Sequence, residues 1–390
     1  MRVETPTQEN DLRRKTQMAF FLPNLDGGGA ERAIVRLVND IADLGVTVDL
    51  VLGEAVGVYL AEVSPKVRII NLTSRGKLRV LLRLTRYLRQ HRPSVVMSSM
   101  DIPNIQMILA AKLSGFKGRT VISQRATIAP VYAEAGWIRR LVYGIGIRFT
   151  YPYATAIISN SYAATSEIHD IAGVSEKRVF TIHNSVDADR INRLAKESLS
   201  DVWLLKSSVP LVISVGSLTL LKDRVTLVRA FAIVKAQRNV RLVILGEGSE
   251  RKNIEKTILD IGLSADVYLP GFDANPFKWI RQSAVLVSSS VTEGCPNNLL
   301  EALSLGISIV ATDCPGDTSE LLGHGRWGRL VPVAESESMA SAILASLDDP
   351  NPPDGRIRAA DFMPEKTMRA YLDVLLPGFN PRQVPGLQGK

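Results

Sequence analysis

The sequence has few cysteines, few histidines and no long apolar run. Its 390 residues include two cysteines, Cys295 and Cys314, with no Cys-x-x-Cys pair and no histidine beside either. This composition excludes a disulfide framework and a cysteine-rich metal site, and it indicates a reducing compartment. No apolar stretch reaches the length of a membrane span, and residues 1–17 carry acids and amides where a signal peptide needs an apolar core. We therefore expect a cytoplasmic protein.

Acidic residues are scarce in one part of the chain. Residues 63–166 contain 16 Lys or Arg against two acids, Asp101 and Glu134, a local excess of +14 in a chain whose net charge is +8. Such a basic region favours an anionic partner, either a membrane surface or nucleic acid. Nucleic acid is not favoured, because no recognition-helix, zinc-finger or RNA-binding sheet signature accompanies the charge.

One segment of this basic part predicts an amphipathic helix. Residues 77–92 place Arg79, Arg83 and Arg86 on one side of the helix and leucines on another. The leucines are Leu78, Leu81, Leu84 and Leu88. The helix can lie on an anionic membrane or cover a sheet as an ordinary surface helix. A second segment, 136–153, interleaves aromatic residues with arginines, which suits a membrane interface or a buried domain edge.

Short apolar runs alternate with helical segments along the whole chain. The first half has seven, at 18–23, 47–52, 67–70, 94–98, 120–123, 156–159 and 179–182. The second half has six, at 210–216, 240–246, 267–271, 284–289, 307–312 and 329–333. Strands that are apolar on both faces and separated by helices predict parallel sheets covered on both sides. The sequence therefore predicts an α/β protein with one doubly wound domain in each half.

The most informative stretch is 287–312, which reads as a strand, a glycine-bearing loop and a helix. Two acids, Glu293 and Glu301, lie eight residues apart around the loop. The first turn of a helix has unpaired N–H groups and partial positive charge, so the loop can face a diphosphate. Glu301 lies one turn beyond Asn297, where its carboxylate can accept ribose hydroxyls. An acid near a helix start is also a common structural feature, but two acids framing this loop favour a binding site.

The stretch resembles the Glu-x7-Glu signature of the retaining, family-four glycosyltransferases. Three further segments resemble motifs of the same family in the same order, and together they cover about residues 18–335. They are NLDGGGAERAIVRL, VGSLTLLKDRVTLVRAFA, and VILGEGSERKNIE with YLPGFDANPF. The resemblance implies the GT-B architecture, in which two doubly wound, Rossmann-like domains with parallel sheets face a central cleft. It also implies a bacterial surface-polysaccharide or lipopolysaccharide role.

The expected organisation follows from the resemblance and the apolar runs together. We expect a mobile tail at 1–16, an acceptor-binding domain at 17–190 and a linker at 191–208. A nucleotide-sugar-binding domain follows at 209–362, then a helix at 363–378 that crosses back to the first domain, and a mobile tail at 379–390.

The expected donor contacts lie in the second half. The resemblance places a phosphate-binding lysine at Lys222, and it makes Lys222, Glu293 and Glu301 the expected catalytic residues. Further expected donor contacts are Gly216, Ser217, Arg224, Gly246, Glu247, Pro270, Gly271, Gly294, Cys295, Pro296, Asn297 and Asn298. The turn that begins at Gly246 also resembles a dinucleotide-binding fingerprint, but it lacks the third glycine.

One position departs from the family pattern. The family often has an arginine five residues before the lysine, where this chain has Ser217. A serine hydroxyl can bond a phosphate but brings no charge. Arg224, two residues past Lys222, is a candidate substitute.

The expected acceptor contacts lie in the first half. Gly27, Gly28 and Gly29 open a helix whose N-terminus favours anions, although the same glycines can form a simple turn. Asp101, Gln124 and Arg125 are the polar loop residues best placed to meet an acceptor. No histidine follows the fourth strand, so a histidine general base is not supported.

These observations favour a retaining glycosyltransferase that uses a nucleotide-diphosphate sugar, UDP-linked by expectation, with no metal ion and no cofactor. The basic first half favours a membrane-associated acceptor, either a polyprenyl-linked or a lipopolysaccharide-type glycan, and a place at the inner face of the cell membrane. Two alternatives stay open. A catalytically weak or dead sugar-nucleotide-binding protein is suggested by Ser217, and a glycosidase would use Glu293 and Glu301 as its carboxylate pair.

Overall fold

The computed structural model describes residues 17–26, 29–74, 76–125, 137–199 and 209–378. The predicted tails at 1–16 and 379–390 lie outside these ranges, as do Gly27, Gly28 and residues 200–208 of the predicted linker. The chain divides into two compact units. One comprises Met1–His183 with Thr367–Lys390, and the other Asn184–Lys366.

The first unit is built on a parallel sheet of seven strands. Its order is β3-β2-β1-β4-β5-β6-β7. The strands are β1 (Gln17–Leu22), β2 (Thr47–Leu52), β3 (Arg68–Asn71), β4 (Val95–Ser99), β5 (Arg119–Gln124), β6 (Ala156–Ser159) and β7 (Val179–Thr181). The helices are α1 (Gly29–Asp43), α2 (Lys77–His91), α3 (Asp101–Ser114), α4 (Trp137–Thr150) and α5 (Tyr162–Ala172).

The second unit is built on a parallel sheet of six strands in the order β10-β9-β8-β11-β12-β13. The strands are β8 (Leu211–Val215), β9 (Arg241–Leu245), β10 (Val267–Gly271), β11 (Val285–Ser288), β12 (Ser308–Thr312) and β13 (Arg329–Val331). The helices are α6 (Ala188–Leu194), α7 (Arg224–Gln237), α8 (Arg251–Asp260), α9 (Phe277–Gln282), α10 (Asn297–Leu305), α11 (Thr318–Leu321), α12 (Ser336–Leu347) and α13 (Gly355–Ala359). A last helix, α14 (Pro364–Leu375), follows.

Both sheets are buried on two faces because successive side chains of a strand point to opposite sides. In β1, Phe20 packs in a cluster with α1 and α14, whereas Phe21 packs in a separate cluster with α2 and α3. In β8, Ile213 packs with α10 and Val212 packs with α7. The thirteen apolar runs of the sequence all form strands, and the predicted fold class is confirmed.

Each sheet has a topological switch point, where the connections turn from one direction to the other. In the first sheet it lies between β1 and β4, and in the second between β8 and β11. Ligands of doubly wound sheets bind at the carboxyl ends of the strands beside such a point. The loops after these four strands are therefore the candidate ligand-binding positions of the two units.

The boundary between the compact units comes earlier than the sequence suggested. It falls between His183 and Asn184, ahead of the expected end of the first domain at residue 190. The physical reason is burial, because Val186 and Ile191 pack in the core of the second unit.

Helix α2 also differs from the prediction in its burial. Leu84 and Leu88 are buried in the core of the first unit. Leu78 is 68 % exposed and Leu82 is 59 % exposed. The predicted leucine face is therefore divided between the core and the surface.

Candidate functional site

The loops that follow β8, β9 and β10 are joined backbone to backbone. The amide of Gly216 donates to Leu245 O at 3.0 Å, and the amide of Gly246 donates to Gly271 O at 2.8 Å. The amide of Leu218 donates to Glu247 O at 2.8 Å. The expected donor residues Gly216, Gly246, Glu247, Pro270 and Gly271 thus lie together at one edge of the second sheet.

Close packing of these loops explains the glycines at their centre. Gly246 has a φ of +146°, and a Cβ there would lie 2.0 Å from Gly216 O. A Cβ on Gly248 would lie 2.2 Å from Leu218 O. The Gly246–Gly248 turn therefore needs glycine for the contact between loops, which accounts for its partial likeness to a dinucleotide-binding fingerprint.

Lys222 and Glu293 meet at the switch point of the second sheet. Lys222 Nζ donates to Glu293 Oε1 at 2.5 Å, and Ser290 Oγ donates to the same oxygen at 2.6 Å. The Glu293 side chain is 9 % exposed and that of Lys222 is 25 % exposed. This arrangement provides a partly accessible cation beside a fixed carboxylate. The cation can bind an anionic ligand.

The loop after β11 leads into α10. Asn298 Nδ2 donates to Val215 O at 3.1 Å, which ties the start of α10 to the end of β8. Asn184 Nδ2 donates to Asn297 Oδ1 at 2.9 Å. Glu301 lies one helical turn after Asn297 and is partly exposed. The structure therefore brings the expected residues 294–298 and Glu301 to the same edge as Lys222, with the α10 N-terminus among them.

Arg224 lies elsewhere than the sequence suggested. Its side chain is 2 % exposed and lies inside the second unit, beneath the loop that carries Gly216 and Ser217. Ser217 itself is exposed. The expectation that Arg224 reaches a bound phosphate directly, in place of the missing arginine, does not agree with this burial.

Polar residues also gather at the switch point of the first sheet. Asp101 begins α3 directly after β4, and Gln124 ends β5. Gln124 Nε2 donates to Asp101 Oδ1 at 2.8 Å, and Tyr151 Oη donates to Gln124 Oε1 at 2.9 Å. Asn104 Nδ2 lies 3.3 Å from Tyr151 Oη. Burial raises the pKa of Tyr151 above its ordinary value, so this hydroxyl keeps its proton.

The remaining acceptor-side residues are only partly described. Gly29 is the first residue of α1, whereas Gly27 and Gly28 lie outside the described residues. Arg125 follows β5, and its carbonyl oxygen accepts from Asn160 Nδ2 at 3.0 Å.

Sequence reasoning missed several residues that hold these sites. Ser290, Asn184 and Tyr151 contact expected site residues, and Asn104 contacts Tyr151, yet none of the four was among the expected donor or acceptor contacts. Ser290 and Asn184 lie in loops after strands, Tyr151 directly follows α4 and Asn104 lies within α3, and no periodic pattern marks any of them.

The described residues contain no group of three or more His, Cys, Asp or Glu side chains placed to hold a metal ion. Of the helices described, none combines the length and apolarity that a membrane crossing requires.

Two family models match the chain in succession. Residues 27–190 match the model described as "Glycosyltransferase Family 4", and residues 209–349 match the one described as "Glycosyl transferases group 1".

Curated relatives agree with this assignment. An N-acetylgalactosamine-N,N'-diacetylbacillosaminyl-diphospho-undecaprenol 4-alpha-N-acetylgalactosaminyltransferase of Campylobacter jejuni is 28 % identical over 341 residues, which is 85 % of this chain and 90 % of the relative. A lipopolysaccharide core biosynthesis glycosyltransferase of Rhizobium meliloti is 27 % identical, over 81 % of this chain and 84 % of its own.

A solved structure has the same fold. A protein of Anabaena crystallised in complex with UDP and glucose superimposes with a TM-score of 0.76 at 18 % identity, covering 93 % of this chain and 100 % of its own. The consecutive family matches, the two parallel sheets and this similarity lead to one conclusion: the chain belongs to glycosyltransferase family four and has the GT-B fold.

Proposed function

We propose that the chain transfers a sugar from a nucleotide-diphosphate donor, UDP-linked, to a membrane-associated acceptor, with retention of anomeric configuration and without a metal ion. The observation that carries the proposal is the Lys222–Glu293 pair, held beside the α10 N-terminus at the switch point of the second sheet. A cation and a helix N-terminus at one loop edge suit a diphosphate. Family membership sets the glycosidase alternative aside.

Each of the expected donor-site residues has its own role in the transfer. Lys222, the Ser217 hydroxyl and the amides of α10 hold the donor diphosphate, while Glu301 accepts hydrogen bonds from the ribose. Glu293 orients the sugar. The bond between the anomeric carbon and the phosphate oxygen breaks, the acceptor oxygen bonds to the anomeric carbon on the same face, and the acceptor proton passes to the leaving phosphate oxygen. Fixed positive charge stabilises the diphosphate as it leaves.

The acceptor side rests on the first unit. Asp101, positioned by Gln124, presents a carboxylate oxygen that can accept a hydrogen bond from an acceptor hydroxyl. The name of the Campylobacter relative includes a diphospho-undecaprenol-linked substrate, and that of the Rhizobium relative includes lipopolysaccharide core biosynthesis. Together these support a polyprenyl-linked or lipopolysaccharide-type glycan as the acceptor.

A membrane surface is the proposed place of action, at the inner face of the cell membrane. Leu78 and Leu82 are exposed on α2 near Arg79 and Arg86, and α2 packs on α3. The neighbouring exposed apolar residues are Leu109, Leu113, Ile145, Phe149 and Tyr153. Apolar side chains among arginines favour anionic lipid.

The central test measures donor binding and turnover separately. Calorimetry with UDP, GDP, ADP and CDP should find UDP the tightest ligand. Incubation with UDP-sugars and a polyprenyl-diphosphate-linked glycan, both with EDTA present, should release UDP and give a product whose NMR coupling reports the donor's anomeric configuration. No binding of any nucleoside diphosphate would overturn the proposal, and an inverted product would overturn the retaining mechanism.

A second candidate function has its own observation. Ser217 is exposed and brings no charge to the loop, which suits a sugar-nucleotide-binding protein without transferase activity. That function predicts tight UDP binding with no donor consumed in the presence of any acceptor.

The membrane proposal has a separate test. Sedimentation with vesicles of phosphatidylcholine, with and without phosphatidylglycerol, should recover the protein in the pellet only with the anionic lipid. The L78E/L82E variant should stay in the supernatant, and I261E, which changes an exposed isoleucine of the second unit, should behave as wild type. Equal recovery of all three would contradict membrane docking through α2.

A further inference from the structure

Arg224 is a buried arginine with few partners. It is the first residue of α7, and among the described residues it has the largest of the fully buried side chains. Its guanidinium donates to Val215 O at 3.2 Å and to Ser289 Oγ at 3.4 Å, and its Nε has no partner. A Cβ on Gly216 would lie 3.2 Å from its Nη2, so the guanidinium lies directly beneath the loop after β8.

The positive charge of Arg224 is poorly compensated. No described carboxylate forms an ion pair with it. The nearest acids that act on it, Glu293 and Asp223, have other partners. Glu293 Oε1 accepts from Lys222, and Asp223 Oδ1 caps α7 by accepting from Thr226 N. Burial lowers the pKa of Arg224 to about 10, with Glu293 and Asp223 acting in the opposite direction, so the group is charged at neutral pH.

Two physical effects oppose a cation at this position. Removal of an unpaired charge from water is costly, and the N-terminus of a helix carries partial positive charge. An apolar side chain of similar volume would fill the space at lower cost. Packing therefore does not explain the arginine, whereas an anion that arrives above the loop would.

We propose that Arg224 is a fixed positive charge beneath the donor diphosphate, which stabilises the β-phosphate and the leaving nucleoside diphosphate through the loop backbone without contact. It adds a charge beneath Gly216 and Ser217, where the exposed side chain is an uncharged serine hydroxyl. The inference rests on the proposed function, since it requires a nucleoside diphosphate above this loop. A charge acts strongly across such a buried path because the effective dielectric constant is lower than in water.

The test compares R224M with wild type, with R224K as the charge-conserving variant. R229M is the matched control, because Arg229 is exposed on the same helix and its loss changes the net charge equally. Calorimetry with UDP, UMP and uridine gives the contribution of each phosphate. R224M should weaken UDP binding about tenfold or more, UMP binding less, and uridine binding not at all. R224K should retain most of the preference for UDP, and R229M all of it.

Thermal unfolding distinguishes this role from a structural one. Without ligand, R224M should have a Tm equal to or above that of wild type, because an unpaired buried charge has been removed. A lower Tm with equal losses for UDP, UMP and uridine would overturn the inference and assign Arg224 a packing role. An unchanged ratio of UDP to uridine affinity in R224M would overturn it as well. If wild-type protein binds no nucleoside diphosphate, the proposed function fails first, and the inference fails with it.

Discussion

Lys222 Nζ and Glu293 Oε1 lie 2.5 Å apart and join the loop after β8 to the loop after β11. The two residues are 71 positions apart in sequence. Under the proposed function, an entering diphosphate competes with Glu293 for the lysine, so donor binding and the position of this carboxylate are coupled. On that proposal, Lys222 pairs with Glu293 in the empty site and with the diphosphate in the occupied site.

The first prediction separates the two acids of the Glu-x7-Glu stretch. E293Q should lose most of its turnover while its UDP affinity stays equal or rises, because Lys222 is released for the phosphate. E301Q should instead weaken UDP binding about tenfold, since a carboxylate accepts ribose hydroxyls more strongly than an amide. Calorimetry and a donor-turnover assay check both, with E337Q as a control at an exposed glutamate. Full turnover in both variants would contradict the assignment.

The second prediction concerns Ser290, which donates to Glu293 Oε1 at 2.6 Å. S290A should lower kcat about tenfold with little change in UDP affinity, because the carboxylate loses one of its two fixed partners. The S290A/E293Q double variant should be no slower than E293Q alone, as expected for residues that act as a unit. Additive losses would show that Ser290 acts independently of Glu293. S283A provides the control, because Ser283 bonds Ile280 O away from the site.

The fold could be predicted from the sequence because its signals are local. Each buried strand is a short apolar run, and the two acids around the loop after β11 mark the proposed donor site. Ser290 could not be found in this way, because its role depends on the hydrogen bond that it donates to Glu293 within the folded loop.

The sequence does contain a signal for the burial of Arg224. Arg224 lies three and four residues before Leu227 and Val228, which are both fully buried, so helical spacing places it on the buried face of α7. Its contact partners are Val215, the last residue of β8, and Ser289, the residue after β11, and only the structure brings them together with Arg224. The burial of the α2 leucines likewise depends on tertiary packing. Contact with a neighbouring helix decides which residues of a wide apolar stripe are covered.

The third prediction tests how the loop that carries Glu293 is held in place. Gly316 has a φ of +129°, and a Cβ there would lie 1.7 Å from Glu293 O. G316A should therefore destabilise the protein by about 3 kcal/mol or more and displace Glu293. G262A is the matched control, because Gly262 has a φ of +74° with open space around it and should cost only about 1 kcal/mol. Urea unfolding measures both, and equal losses would contradict the close approach.

The fourth prediction concerns alkaline pH. Tyr87 Oη donates to the buried Asp49 at 2.5 Å, and burial together with that hydrogen bond raises the pKa of Tyr87 in the folded state. The stability that this tyrosine contributes is therefore complete below the unfolded-state pKa of about 10 and is lost as the pH rises above that value. Urea unfolding between about pH 8 and pH 11 should show a smaller loss of stability in Y87F than in wild type. Y153F should follow wild type, because Tyr153 is exposed.

The last prediction concerns the acceptor side, where Tyr151 helps to hold the amide of Gln124. Tyr151 Oη donates to Gln124 Oε1, and Gln124 Nε2 donates to Asp101. Y151F removes one of these two hydrogen bonds, so Gln124 and the Asp101 carboxylate that it positions are held less firmly. Y151F should therefore raise the acceptor KM several-fold while UDP affinity is unchanged, and D101N should do the same with a larger effect. A loss of UDP affinity equal to the loss for the acceptor would show general damage to the fold, and an unchanged acceptor KM in D101N would remove this carboxylate from the acceptor site.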